Sequence, residues 1–158
     1  MDVQQELTKY ISKALSSDLP QKTEFKTRFH LLDTIVSILT GRLLPPGKKA
    51  FQFSKAQGGV KESTLLGSDV KVSAINAGFS NGMAAHANET DDSTTEGRFH
   101  PGCAIVPATL AVAEREKLGS EEIIKAIALG YDIGVRITTS LGYKTPKTSI
   151  FATHSIGP

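Results

Sequence analysis

Apolar residues along this chain recur mainly at steps of three and four, the period of a helix. Leu7, Tyr10, Ile11, Ala14 and Leu15 predict a first helix over 3–16. Asp18-Leu19-Pro20 interrupts it, because a proline steers the residue before it away from helical angles. A second helix is expected over about 22–40, where Phe25, Phe29, Leu32, Val36 and Leu39 form one apolar stripe. Leu31, Ile35 and Ile38 widen that stripe, so this helix is expected to be buried on two sides, with Gly41 as its C′ residue. Pro45-Pro46-Gly47 reads as a turn, followed by a short helix over 48–57 that Gly58-Gly59 ends. Ser63 to Gly67 reads as a short extended piece, too small to build a sheet core.

From Ser73 onward small residues take over. Ala74, Gly78 and Gly82 lie four apart, and Ala77, Asn81 and Ala84 continue a neighbouring row. A glycine inside a helix costs up to about 1 kcal/mol relative to alanine, so this face implies a compensating close approach by another backbone. The helix is expected to run to about Glu89, with His86 one turn beyond Gly82, and Glu89 and Thr90 one turn beyond His86. Asp91 to Phe99 reads as a polar loop. His100-Pro101-Gly102 then turns into a helix over about 104–118, with Pro107 in its first turn. Gly119 ends that helix and Ser120 caps the next, which carries Ile123, Ile127, Tyr131, Gly134 and Ile137 on one face. After Gly142 the pattern becomes irregular. The sum is an all-α fold, about six packed helices in one domain over 1–158, with no internal repeat.

Composition narrows the function classes. Apolar residues make up 39% of the chain, enough for a core and against wholesale disorder. Eighteen Lys and Arg against sixteen Asp and Glu leave a net charge of +2, with no bias toward nucleic acid. No window approaches the 18 or so apolar residues of a membrane span, and the acidic, polar N-terminus does not read as a secretory signal. The single Cys103 excludes an internal disulfide framework and a multi-cysteine zinc site, and fits a reducing, cytoplasmic setting.

Groups able to move protons concentrate in 81–107. His100 stands out: it precedes a proline, and it sits just before a helix N-terminus, where unpaired amides and the positive dipole end could receive a substrate carboxylate. The same field favours a neutral imidazole that can act as a base. Glu89, Asp91 and Asp92 could orient His100, relay a proton or bind a cation, and they repel one another unless solvated or paired. Ser93 could donate a hydrogen bond to a substrate oxygen, and Gly102 clears space where a ligand could approach the backbone. The bland readings stand beside these. Taken alone, His30 and His154 read as structural or exposed, 89–92 as a solvated helix end, and Cys103 as a small apolar contact. His86 is balanced between structure and function. His86, Asp91, Asp92 and His100 are acceptable metal donors, but their spacing fits no signature such as HExxH, so no metal is assigned. No Gly-x-Ser-x-Gly elbow, phosphate loop or dinucleotide fingerprint is present.

In order along the chain, His30-Leu31-Leu32-Asp33-Thr34, Ser80 to His86, Asp91-Asp92, His100-Pro101-Gly102, Gly130-Tyr131-Asp132 with Arg136, and Thr153-His154 resemble the N-terminal part of the MmgE/PrpD family. That family includes 2-methylcitrate dehydratase, cis-aconitate decarboxylase and iminodisuccinate epimerase. The resemblance implies an all-helical domain joined to a smaller α/β domain in a longer chain, homodimers, no cofactor, and chemistry at carbon next to a carboxylate on small polycarboxylic acids. It implies His100 as the active-site histidine. Glu89 stands where members often carry aspartate, and Ser93 where they often carry threonine, although the loop from Asp92 to His100 is slightly longer here. On this basis His100, Glu89, Asp92 and Ser93 are the expected catalytic residues, and His86, Asp91, Gly102 and His154 the expected substrate contacts. The family's site also takes a lysine and another histidine from further along, which this sequence does not reach, so weak or no turnover is expected from it alone. The alternative expectation is a catalytically inactive truncated helical module for dimerisation or ligand binding.

Overall fold

The computed structural model describes residues 2–95 and 99–140. Among them the chain forms α1 (Val3–Leu15), α2 (Gln21–Gly41), α3 (Pro45–Gln57), β1 (Ser63–Thr64), β2 (Lys71–Val72), α4 (Ala74–Ala85), α5 (Gly102–Glu116) and α6 (Ser120–Ser140). The all-α expectation holds. The two short strands pair antiparallel, with Ser63 opposite Val72 and Thr64 opposite Lys71. The irregular stretch after Gly142, and with it His154, lies outside the described residues.

α4 is the centre, packing against α5, α3 and α2. Its small face has the role expected of it. A Cβ added at Gly82 would sit 2.9 Å from the Cys103 carbonyl oxygen, and one at Gly78 would touch the α5 backbone at Ala108 and Pro107. Pro107 lies inside α5 rather than in its first turn, because the helix starts at Gly102. Proline has no N–H to return to Cys103, so a side chain is missing from α4 where a carbonyl on α5 lacks its helical partner.

Several boundaries and one face differ from expectation. α3 begins at Pro45, since prolines in a first helical turn forgo only N–H groups that lack partners there anyway. α4 stops at Ala85, and Glu89 has a φ of 52°, so 87–90 turns away instead of continuing the helix. The largest correction concerns α2. Phe25, Phe29, Leu32, Val36 and Leu39 are all between 41% and 63% exposed, while Thr27, Thr34, Ser37, Ile38 and Gly41 are buried. The small residues win the interior because α2 crosses α4 closely: a Cβ at Gly41 would overlap the Ala84 carbonyl oxygen. Gly41 therefore serves packing, not the helix cap. Thr27 and Thr34 give their hydroxyl protons to the carbonyls of Thr23 and His30, at 2.8 and 2.9 Å, so burying them leaves no donor unpaired.

Candidate proton-transfer site

The end of α4, the loop after it and the start of α5 meet in one place. His86 caps α4, Asp91 lies in the loop, and His100 precedes the first turn of α5. The loop is held by a bridge between Thr94 and Phe99, in which the Thr94 N–H donates to the Phe99 carbonyl at 3.1 Å. Phe99 is buried against α6, where its ring tip would lie 3.3 Å from a Cβ added at Gly134. That anchor sets the position of the next residue, His100.

The Asp91 carboxylate is fully buried, with 0% of its side chain exposed, and faces both imidazoles. His86 Nδ1 lies 3.1 Å from each carboxylate oxygen. His100 Nδ1 lies 3.5 Å from Asp91 Oδ1 and 3.3 Å from the Asp91 carbonyl oxygen. The rings are 4.9 Å apart between centroids, and 37% of the His86 side chain and 25% of the His100 side chain reach solvent. A buried carboxylate facing Nδ1 favours the tautomer that carries its proton there, which leaves Nε2 as the basic nitrogen. Cys103, on the first turn of α5, completes the group and donates its thiol proton to the His100 carbonyl at 3.1 Å. Burial, then the negative charges of Asp91 and Asp92, push this thiol up to about 12, so it stays protonated.

Asp92 belongs to a second group. Its Oδ2 lies 2.8 Å from His30 Nδ1 and accepts the Tyr131 hydroxyl at 2.7 Å. Its Oδ1 accepts the Gly102 N–H at 2.9 Å. Burial, together with the hydrogen bond to Asp92, raises the Tyr131 phenol above its ordinary range, which keeps it a donor. A cavity of about 250 Å³ opens beside this group, lined by Lys22, Lys26, His30 and Tyr131 among others.

The geometry redistributes the expected roles. His86, Asp91 and His100 come together, and Asp91 rather than Asp92 or Glu89 is the carboxylate facing His100. Asp92 instead caps α5, so the helix end expected to receive a substrate carboxylate already holds an internal one. Gly102 is small for the same reason: a Cβ there would lie 2.5 Å from both Asp92 Oδ1 and Thr34 Oγ1, and 2.9 Å from the Tyr131 hydroxyl. Its space is filled from within the protein. Glu89 and Ser93 are exposed on the loop, and no described hydrogen bond or ion pair uses either side chain. Reasoning from single residues missed His30 and Tyr131 as partners of Asp92, Thr34 as their neighbour, and Cys103 as a neighbour of Asp91.

Fold and site together define a helical domain carrying a histidine–carboxylate cluster at a helix junction. The chain belongs to the MmgE/PrpD family, whose N-terminal domain model matches residues 5–157. A search of curated proteins finds no significant match. No helix among the described residues is long and apolar enough to cross a membrane.

Proposed function

We propose that this chain forms the proton-transfer wall of a cofactor-independent lyase or isomerase acting on a small polycarboxylic acid. The supporting observation is the buried Asp91 carboxylate set between the Nδ1 atoms of His86 and His100. In this reading His100 Nε2 takes the proton from a carbon next to a substrate carboxylate, and the electron pair delocalises into that carboxylate. In a dehydration the β-hydroxyl takes up a proton from an acid and leaves as water, and in an epimerisation a second acid supplies a proton on the face opposite His100. In a decarboxylation, loss of carbon dioxide creates the carbanion and His100 supplies its proton. Asp91 stabilises the imidazolium in each case, as a buried carboxylate does for other catalytic histidines. Glu89 and Ser93, exposed on the same loop, are proposed substrate contacts, and His154 remains a further one. A cytoplasmic location belongs to the same proposal.

We also propose that a C-terminal domain completes the site. The test follows deuterium incorporation by NMR in D₂O with 2-methylcitrate, cis-aconitate and iminodisuccinate. It uses the chain alone and the chain supplemented with the C-terminal half of a full-length relative. The expected result is exchange or turnover with one acid in the supplemented sample, reduced about 10²–10⁴-fold by His100→Gln. Absence of exchange and turnover with all three acids, or a His100→Gln variant as active as the parent, overturns the assignment. The exposed stripe on α2 supports a companion reading in which a second copy of the chain packs on this face, as a homodimer.

A further inference from the structure

The cluster at the α4–α5 junction contains a donor set that neither histidine reveals alone. A ring nitrogen of His86, an Asp91 carboxylate oxygen and Cys103 Sγ all lie within 4.8 Å of one another, contributed by a helix cap, a loop and a helix first turn. A tetrahedral zinc ion with bonds of about 2.0–2.3 Å holds its ligands roughly 3.3–3.8 Å apart. The His86–Asp91 separation of 3.1 Å is close to such an edge, and the separations to Cys103 Sγ are at most 4.8 Å. Closing the set therefore needs shifts of side chains, not of helices. We propose that His86, Asp91 and Cys103 form a binding site for a thiophilic divalent cation such as Zn²⁺, with solvent completing its coordination.

Charge and donor type support this assignment. Asp91 supplies one negative charge, and Cys103 supplies a second when the cation displaces its thiol proton to solvent. The doubly charged ion is then neutralised at a half-buried site. His86 must bind through an unprotonated Nδ1, so its proton moves to Nε2 as the metal enters. Sulfur, nitrogen and carboxylate oxygen together select zinc or cobalt over magnesium or calcium, which prefer oxygen alone. Asp92 is not a ligand, since His30, Tyr131 and Gly102 already surround it. The consequence is exclusion. This consequence, unlike the site, rests on the function proposed above: a metal held by His86 and Asp91 competes for the carboxylate that supports His100, so bound zinc would oppose proton transfer.

The site rests on donor geometry and not on the proposed turnover, so its test is spectroscopic. The tag-free 158-residue chain is titrated with Co²⁺ alone. Expected are the visible bands of a tetrahedral cobalt site and a near-ultraviolet thiolate-to-cobalt charge-transfer band, both abolished by one equivalent of Zn²⁺. Cys103→Ser removes the charge-transfer band, and both Cys103→Ser and Asp91→Asn weaken Zn²⁺ affinity by at least ~10-fold. Circular dichroism checks that each variant is folded, and the parent titration stands without them. Lack of a charge-transfer band in the folded parent, or a band that survives Cys103→Ser, overturns the proposal.

Discussion

The two aspartates 91 and 92 are neighbours in sequence and differ in employment. Asp91 meets His86 and His100, while Asp92 meets His30, Tyr131 and the Gly102 amide. Gly102 is where the second cluster is most vulnerable. In Gly102→Ala the new methyl would have to displace Asp92 and Thr34, each 2.5 Å from it. Overpacking of this kind costs about 1–3 kcal/mol. The expected outcome is a urea midpoint lowered accordingly at unchanged m-value, with a shift in the His30 ring resonances that reports the displaced Asp92. A midpoint equal to that of the parent would show that the pocket is slack. The sequence displayed every member of this cluster without showing that they meet. His30 read as a lone structural histidine because its partner is 62 residues away, a separation no local spacing encodes.

Among the elements, α4 was the most legible and α2 the least. A glycine every four residues in a helix has few explanations besides close packing, and the α4–α5 contact is one. In α2 the periodicity located the helix and misassigned its face, because a regular apolar stripe looks the same whether it meets the chain's own core or an outside surface. The threonines and Gly41 that occupy the interior carried no hydrophobic signal. The hairpin depends on one carboxylate for a comparable reason. Glu114 of α5 accepts the Thr64 N–H at 2.6 Å and the Thr64 hydroxyl at 2.7 Å, and pairs with Lys71 at 2.6 Å. Burial by itself would raise its pKa, but the bonds from Lys71 and Thr64 outweigh burial and hold it below the usual carboxylate value. A depressed folded-state pKa means that the stabilisation is complete above the unfolded value of about 4.3 and is lost as pH falls through the folded one. Glu114→Gln is therefore expected to be less stable than the parent by about 1–2 kcal/mol at pH 7. The gap should close once the pH falls below the folded value. Paired denaturant melts at pH 7 and pH 3 test this, and an equal gap at both values would rule out the ionised carboxylate as its source.

For the whole molecule the main exposed apolar feature on α2 is one continuous stripe. Phe25, Phe29, Leu32, Val36 and Leu39 step by four, three, four and three, spanning about 21 Å at 1.5 Å per residue. Phe25 and Phe29 already stack edge to face, with ring centroids 4.8 Å apart. An alternation of threes and fours is the seam of paired helices, and about a two-fold axis the same stripe on a second copy is its own complement. The homodimer proposed above therefore places α2 against α2. Phe29→Glu with Val36→Glu is expected to weaken self-association by at least ~30-fold, since each buried anchor lost from an interface centre is worth about 2 kcal/mol. The same variant should keep its helical circular dichroism and its unfolding midpoint extrapolated to low concentration, because both positions are more than half exposed in one chain. Light scattering across a dilution series measures the first quantity and thermal melts the second. A parent that stays monomeric at high micromolar concentration would remove the second copy as the partner of this face. A variant that unfolds outright would instead mean that α2 belongs to the chain's own core.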